Sequence, residues 1–573
     1  MPDDLAGTAP HMSTASTTTP TEPAEDGPQL RRHVGIVGLL FASVGSIIGS
    51  GWLFGALNAS QQAGPAATIS WALGGLMILL IALVYAELGT MFPLSGGVVR
   101  YPHLSFGSFA SYTAGWITWV AVATTAPIEV LGALQYATKY ADFTKPHCVS
   151  ACGTDAEVTV HTLTGIGYVA AVVLMALFVV VNYFGIKWFA RLNNVLVWWK
   201  LAIITVVVIA FLVTAFHGSN FHSQGFAPSG IHGIFSAIAT GGIVFSFLGF
   251  RQGIELAGET DNPRRNVPIA VIGSVLITGV IYVALQVAFI GALKPSLIGH
   301  GWANLSFEND FGPLAAIATL LGLGWLAVLL YADAIVSPGD TGLIYTTITS
   351  RISYAMARNG NAPGFLARTT DRGVPMLSLI VTFFVGLIVF LPFPSWQQLV
   401  GFISSATVMS FASGPLVLAA MRAQQPERER PFRLAGGHAI PLLAFWASNM
   451  IVYWSGWDVD WKLMVAVLIG FVLLGVFTLA GQVHLPDMAF KSGAAWVLPW
   501  LIGVTVISYL GSFPEPGAGN RGLLNFETSA ALMGVLSVVV YVLAYRYRLS
   551  PEETERHIAE TEEEARVEDA QLA

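Results

Sequence analysis

Long apolar stretches separated by short polar ones run through most of the chain. A helix needs about 20 predominantly apolar residues to cross the hydrocarbon of a bilayer. The pattern predicts such spans at 34–58, 66–92, 109–137, 163–183, 192–216, 232–254, 268–292, 324–350, 376–392, 396–421, 440–457, 461–481, 494–513 and 527–547, about fourteen in all. Residues 1–29 are rich in Thr, Pro, Ala and acid, which predicts disorder. They lack the basic and apolar regions of a signal peptide. The polar stretches 142–161 and 294–311 predict outer loops, and the short apolar stretch 312–322 predicts an interfacial or re-entrant helix. The acidic tail 551–573 predicts a short solvated helix without chemistry of its own.

Two spans violate the pattern they belong to. The first contains Gly45-Ser46-Ile47-Ile48-Gly49-Ser50-Gly51 at its centre. Each Gly costs about 1 kcal/mol of helix relative to Ala, and a broken helix frees N–H and C=O groups that lipid cannot satisfy. Such a break is tolerated where the freed backbone faces protein or a cavity, and the loose amides there can hold an anion. The sixth span repeats the trouble, with Gly241, Gly242, Gly249 and Gly253 followed by polar residues. Interrupted helices five spans apart point to an inverted repeat with a binding site at the membrane midplane. Small-residue helix packing is the simpler explanation. It accounts for spaced glycines but not for a Ser-rich cluster that recurs.

The composition, 54% hydrophobic with 11% charged residues and a mean hydropathy of +0.66, excludes an ordinary soluble domain, which carries about 25% charged residues. Sorting the 27 basic residues by predicted loop puts about 20 on one side and 5 on the other, with Lys200 and Arg251 in neither set. That bias places both termini in the cytoplasm. The two cysteines, Cys148 and Cys152, exclude a multi-Cys metal site. Both fall in a predicted outer loop on the oxidising face. Their spacing permits a disulfide, with two free thiols as the alternative. No phosphate-binding loop or metal spacing accumulates, so neither an enzyme, a cofactor nor a nucleic-acid partner is expected.

Several motifs in order resemble the amino acid–polyamine–organocation (APC) superfamily. They are the Gly45–Gly51 run; Ala86-Glu87-Leu88-Gly89 with Pro93 and Ser95-Gly96-Gly97; Gly249-Phe250 with Gly258-Glu259 and Asn262-Pro263; Ser350-Arg351 with the stretch from Tyr354 to Gly360; and Arg430-Pro431-Phe432. Gly322 to Ala327, Asp333-Ala334, Ser337-Pro338-Gly339 and Trp454 to Trp457 resemble its bacterial aspartate–proton symporter branch. The resemblance implies an all-α polytopic membrane protein with a five-plus-five inverted-repeat (LeuT-like) core and discontinuous helices one and six. A cytoplasmic tail, 1–32, would precede the repeats 33–217 and 232–422. Further helices, 439–548, and an acidic tail, 549–573, would follow. It also implies that Ile47, Gly49, Ser50 and Gly51, with Phe245, Ser246, Phe247 and Leu248, hold the carboxylate and amino group of an amino acid. Trp116, Trp119 and Phe247 are candidate walls.

The intramembrane charges carry the remaining chemistry. Lys200 costs about 3 kcal/mol at depth. It either snorkels to the cytoplasmic edge or is a buried amine that gains and loses a proton. The second reading is preferred, because many APC permeases have a lysine at the matching position. Ser337 is its expected partner. Arg251 departs from the family pattern, which more often has an acid there. It suits either a substrate's second carboxylate or a structural pairing with Glu255 or Glu129. Glu129, Asp333 and Asp340 are intramembrane acids and hence proton-relay candidates, or partners of Arg251 and Lys200. Glu87 and Glu259, nearer the cytoplasmic edge, predict gate or loop contacts. The leading expectation is proton-coupled import of an amino acid, with an acidic one favoured, across the cell membrane in contact with lipid. An amino acid/amine exchanger is the alternative, and a non-transporting sensor a weaker one, since neither tail offers a signalling domain.

Overall fold

The computed structural model describes residues 34–150, 152, 158–184, 186–307, 311–358, 361–370, 374–481, 489–515 and 519–572. The predicted disordered segment 1–32 and the Asn359-Gly360 end of one motif lie outside them. Each predicted span overlaps one or more helices. The first is two helices, α1 (Ile36–Ile47) and α2 (Gly51–Ala63), followed by α3 (Ala67–Met91) and a short α4 (Gly97–Phe106). The third predicted span is also two helices, α5 (Ser108–Ala123) and α6 (Thr125–Ala137). Next come α7 (Gly165–Phe184) and α8 (Ile186–Thr214). The sixth predicted span comprises α9 (Gly230–Ala239), a non-helical stretch, a 3-10 turn (Phe245–Arg251) and α10 (Gln252–Glu255). Then follow α11 (Pro263–Ala292), the short buried α12 (Pro313–Leu320), α13 (Gly324–Arg358), α14 (Met376–Val389), α15 (Trp396–Phe411) and α16 (Ser413–Gln424). The chain closes with α17 (Ala439–Trp454), α18 (Trp457–Leu479), α19 (Phe490–Leu510), α20 (Phe526–Arg546) and α21 (Pro551–Leu572).

Among the described residues, ten helical stretches are long and apolar enough to cross a membrane, and four apolar helices, α1, α9, α14 and α17, are shorter. Exposed Val465, Leu468, Ile469, Val472 and Val476 stud the outer side of α18, a surface suited to lipid rather than water. The chain is a multi-pass helical membrane protein.

Proline accounts for two junctions that hydropathy alone does not reveal. Pro127, in the first turn of α6, and Pro415, in the first turn of α16, have no N–H to give the carbonyl four residues earlier. The Tyr85 hydroxyl donates to the carbonyl of Phe411 so freed, at 3.2 Å. Thr124 and Thr125 donate to Ala121 O in the turn before Pro127.

In the bundle, α3 lies along α11, α6 along α13, and α1 against α11, α8, α13 and the 3-10 turn. Two glycines permit the closest approaches. A side chain on Gly249 would run into the backbone of Ser46 and Ile47, so the second break touches α1 main chain to main chain. Gly242 has φ +94, open to glycine at little cost. Helices α17 to α20 form a flank, with α17 against α3, α9, α15 and α16, and α18 against α5 and α15.

Outside the helices, Thr144–Ser150 pairs antiparallel with Val158–Leu163, Thr144 opposite Leu163. Cys148 and Cys152 are joined there by a disulfide, with Cα atoms 5.7 Å apart. Sequence patterning did not single out this hairpin. Elsewhere in the bundle, the buried Glu87 carboxylate receives Arg422 Nε at 3.0 Å, Arg422 Nη2 at 2.6 Å and the Leu434 N–H at 2.8 Å. It is a loop clamp, as its position suggested.

The acidic tail is docked, contrary to the expectation of a solvated helix. A capping box starts α21: Ser550 N–H donates to Glu553 at 3.0 Å, and Glu553 N–H to Ser550 Oγ at 3.2 Å. Leu549 N–H donates to Ser105 O, Arg428 pairs with Glu562 at 2.7 Å, and Thr554 and Ile558 are buried. The rings of His103 and His557 stack at 4.5 Å.

Burial, and secondarily the charge of His557, push His103 down from 6.5 to about 4. Docked His103 therefore stays neutral where an undocked one takes up a proton, so docking is strongest above pH 6.5 and weakens as pH falls through that window towards 4. Limited proteolysis should cut the tail faster at pH 5 than at pH 7.5. His103→Phe should flatten the difference.

A candidate substrate and proton site

The two interrupted segments meet at the centre of the bundle. Ile48 leaves the helical region (φ -89, ψ 85), and α2 restarts at Gly51. A side chain on Gly51 would meet Ser246 and Phe245, so the first break lies directly on the second. Among the predicted binding residues, the carbonyl of Ile47 accepts from Tyr282 Oη at 3.4 Å. Ser50 Oγ accepts from Trp396 Nε1 at 2.8 Å, and Ser246 Oγ donates to Gly242 O at 2.8 Å. The Ser50 N–H, at the mouth of α2, donates to Glu129 Oε2 at 2.7 Å. Gly49 is pressed against that same carboxylate, with no room for a side chain. Leu248 is buried beside Gly249.

The predicted walls fall elsewhere. Phe247 packs between α3 and α11, against Trp71 at 6.0 Å and Tyr282 at 5.5 Å. Trp116 donates to Ala466 O on α18 at 2.8 Å, and Trp119 to Ser353 Oγ on α13 at 2.6 Å. Besides Tyr282 and Phe245, Trp396 reaches the break, its ring 4.9 Å from Phe54 and 5.9 Å from Phe245.

Lys200 is fully buried, which removes the snorkelling reading. Its Nζ donates to Gly45 O in α1 at 2.9 Å and to Thr341 Oγ1 at 3.3 Å, and it pairs with Asp340 at 2.6 Å. Thr341 donates in turn to Ile48 O at 3.3 Å. An ammonium and a hydroxyl thus satisfy carbonyls that the break leaves without helical partners. Ser337 is not the partner of Lys200. It donates to Asp333 Oδ1 at 2.7 Å, four residues back on its own helix, and Trp199 donates to the same oxygen at 2.8 Å. The side chains of α13 that face Lys200 are one turn further on, at Asp340 and Thr341.

Arg251 is fully buried with its guanidinium 5.8 Å over Phe411, and it pairs with Glu255 at 2.9 Å rather than with Glu129. Its Nε and Nη1 have no hydrogen-bond partner among the described residues. Just beyond, Gly96 N–H donates to Glu255 O at 3.2 Å, and Gly258 is pressed against Ser95. The segment from Glu255 to Glu259 therefore closes the bundle on the side of the Glu87 clamp. Tyr282, Thr341 and Trp396 escaped the sequence reading. Each is an unremarkable residue of its span, brought to the site only by packing.

Two broken helices joined main chain to main chain, with a carboxylate on the Ser50 amide and a buried ammonium on the Gly45 carbonyl, are an arrangement suited to a helical membrane permease. Residues 34–504 match the amino acid permease family model. The chain is 38% identical to the glutamate/serine transporter AimA of Bacillus subtilis over 90% of its own length and 94% of that protein's. It is 38% identical to the aspartate-proton symporter of the same organism, over 90% and 96%. The branched-chain amino acid permease BcaP, also of B. subtilis, is 26% identical over 78% and 93%. The chain belongs to the amino acid permease family and is a transporter, not an enzyme.

Asp340→Ala should strand the Lys200 charge in the interior, which costs about 3–5 kcal/mol when one partner of a buried pair is removed. The thermal midpoint in detergent should fall, and the double change Lys200→Met with Asp340→Leu should restore much of it. Equal and additive losses would show that the two charges are independent.

Proposed function

We propose that the chain imports an amino acid together with a proton across the cytoplasmic membrane, and that its preferred substrates are acidic. The observation that carries this reading is the Lys200–Asp340 pair fastened to α1 at Gly45. It puts a titratable pair on the backbone of the broken helix. The relatives named as a glutamate/serine transporter and an aspartate-proton symporter favour the same substrates and coupling. On this reading fourteen spans cross the membrane and both termini are cytoplasmic. Residues 33–217 and 232–422 form the inverted repeats, with 439–548 outside them.

Substrate carboxylate sits on the amides around Gly49, Ser50 and Gly51. Its amino group meets carbonyls of Ile47 and of Phe245 to Leu248, consistent with the meeting of the two breaks. Protonated Lys200 ties α1 to α8 and α13, and deprotonation towards the cytoplasm loosens α1. This drives transport only because the two conformations differ in proton affinity. Asp340 and Thr341 take the place beside the Lys200 ammonium expected of Ser337. Glu129 and Asp333 are further buried acids within the bundle and remain proton-relay candidates.

In proteoliposomes, an imposed pH gradient should drive concentrative uptake of L-aspartate. Lys200→Arg should abolish accumulation while leaving binding, because a guanidinium does not deprotonate in a protein. Undiminished accumulation by that variant would move the proton to another group.

Arg251, with two unpartnered nitrogens on the cytoplasmic side of the break, is proposed to receive the second carboxylate of an acidic substrate. Arg251→Ala should weaken L-aspartate by about 1.5–3 kcal/mol, roughly tenfold to a hundredfold, and L-serine far less. Equal losses in a binding assay would leave Arg251 as the structural partner of Glu255.

A further inference from the structure

The proposed seat for the substrate's carboxylate is already filled by a carboxylate of the chain itself. Glu129 projects from α6 and is 1% exposed. Its Oε2 takes the Ser50 N–H at 2.7 Å, at the opening turn of α2, where the helix dipole favours negative charge. Its Oε1 is buried with no hydrogen-bond partner among the described residues, an arrangement that costs free energy in a structure with no other purpose for it. Gly49 packs against the same carboxyl group, and a Cβ there would overlap it. The ionisable groups that face Glu129 are Lys200 from α8, Asp340 and Tyr345 from α13, and Tyr282 from α11. Lys200 is the only cation among them, and it is paired with Asp340 at 2.6 Å.

We infer that Glu129 is a built-in surrogate for the substrate carboxylate: ionised, it occupies the Ser50 amide and keeps the seat shut, and a proton arriving on it opens the seat to substrate. The inference rests on the reading of the break as a carboxylate seat. Two carboxylates cannot share one N–H in a site this dry, because like charges that close cannot both remain ionised. A proton from the outer water adds to a Glu129 oxygen and gives the neutral acid. The acid is a poorer acceptor and loses its attraction to the helix end. Substrate carboxylate then takes the amide. When the proton leaves towards the cytoplasm, the Glu129 carboxylate is restored and competes the substrate off. Substrate and proton are thereby required to arrive together at the seat, a requirement that adds to the loosening of α1 through Lys200.

The test is equilibrium binding of L-aspartate, with L-serine as a neutral probe, to the purified full-length protein between pH 5.5 and 8. The carboxylates of both probes stay ionised throughout that range. In the unmodified protein the apparent Kd should rise about tenfold per pH unit on the alkaline side of the Glu129 titration, as one linked proton requires. Glu129→Gln keeps the shape and cannot take up the proton, so its Kd should be flat with pH for both probes. Glu129→Asp keeps the titration but draws the carboxylate back by one methylene, so it should bind more tightly than the unmodified protein at pH 8. Infrared difference spectra on acidification without substrate should show a protonated carboxyl band that Glu129→Gln lacks. L-aspartate added at pH 7.5 should raise the same band. A slope retained in Glu129→Gln, or a band that survives the change, overturns the inference and leaves transport standing. Failure of the unmodified protein to bind either probe at any pH instead removes the carboxylate seat itself.

Discussion

A helix may be broken inside a membrane only if every backbone group it frees finds a partner, and this chain meets that demand with side chains drawn from distant helices. The Ser50 N–H goes to Glu129, the Gly45 carbonyl to Lys200, the Ile48 carbonyl to Thr341 and the Ile47 carbonyl to Tyr282. Each partner sits on a different helix from the break, so the break is also the point at which α6, α8, α11 and α13 are fastened together. Removing the break would remove the reason for the burial of Lys200 and Glu129, and removing either charge would leave backbone groups unmet.

The same accounting explains the other interruptions. Pro127 and Pro415 each withdraw a donor from the helix that precedes them, and hydroxyls of threonine and tyrosine stand nearby to compensate. Many buried Ser and Thr hydroxyls likewise return to a carbonyl one turn back, as Thr278 does to Ser274 and Thr382 to Ser378. Polar residues in an apolar bundle are in this way mostly self-contained. The exceptions, such as Glu129 Oε1 and the Arg251 nitrogens, stand out against that background.

The positions of the apolar helices were legible in the sequence because long apolar runs bounded by polar residues report them directly. The breaks were legible because Gly and Ser are costly there. Lys200, Glu129, Asp333 and Asp340 were visible as charges in apolar surroundings, but not who meets whom. Ser337 was given the role that Asp340 and Thr341 fill, because facing residues on α8 and α13 are set by packing, which no local pattern records. Trp396 carried no signal at all: one tryptophan among 16. The docking of α21 was hidden for a different reason. A helix that seats itself through two imidazoles, one ion pair and a few hydrogen bonds reads as polar throughout, and Ile558 alone does not make an apolar stripe.

Gly249 gives the molecule its mechanical character. Because the main chain of the second break rests on the main chain of α1, with no side chain between them, the two interrupted segments cannot slide past one another as separately cushioned helices do. They form a single yoke. Whatever tilts one carries the other, and around the yoke α8 holds on through the Lys200 ammonium, α13 through the Thr341 hydroxyl and α6 through the Glu129 carboxylate. The permease thus joins its two interrupted segments backbone to backbone, and ties the helices around them to that joint through single polar side chains.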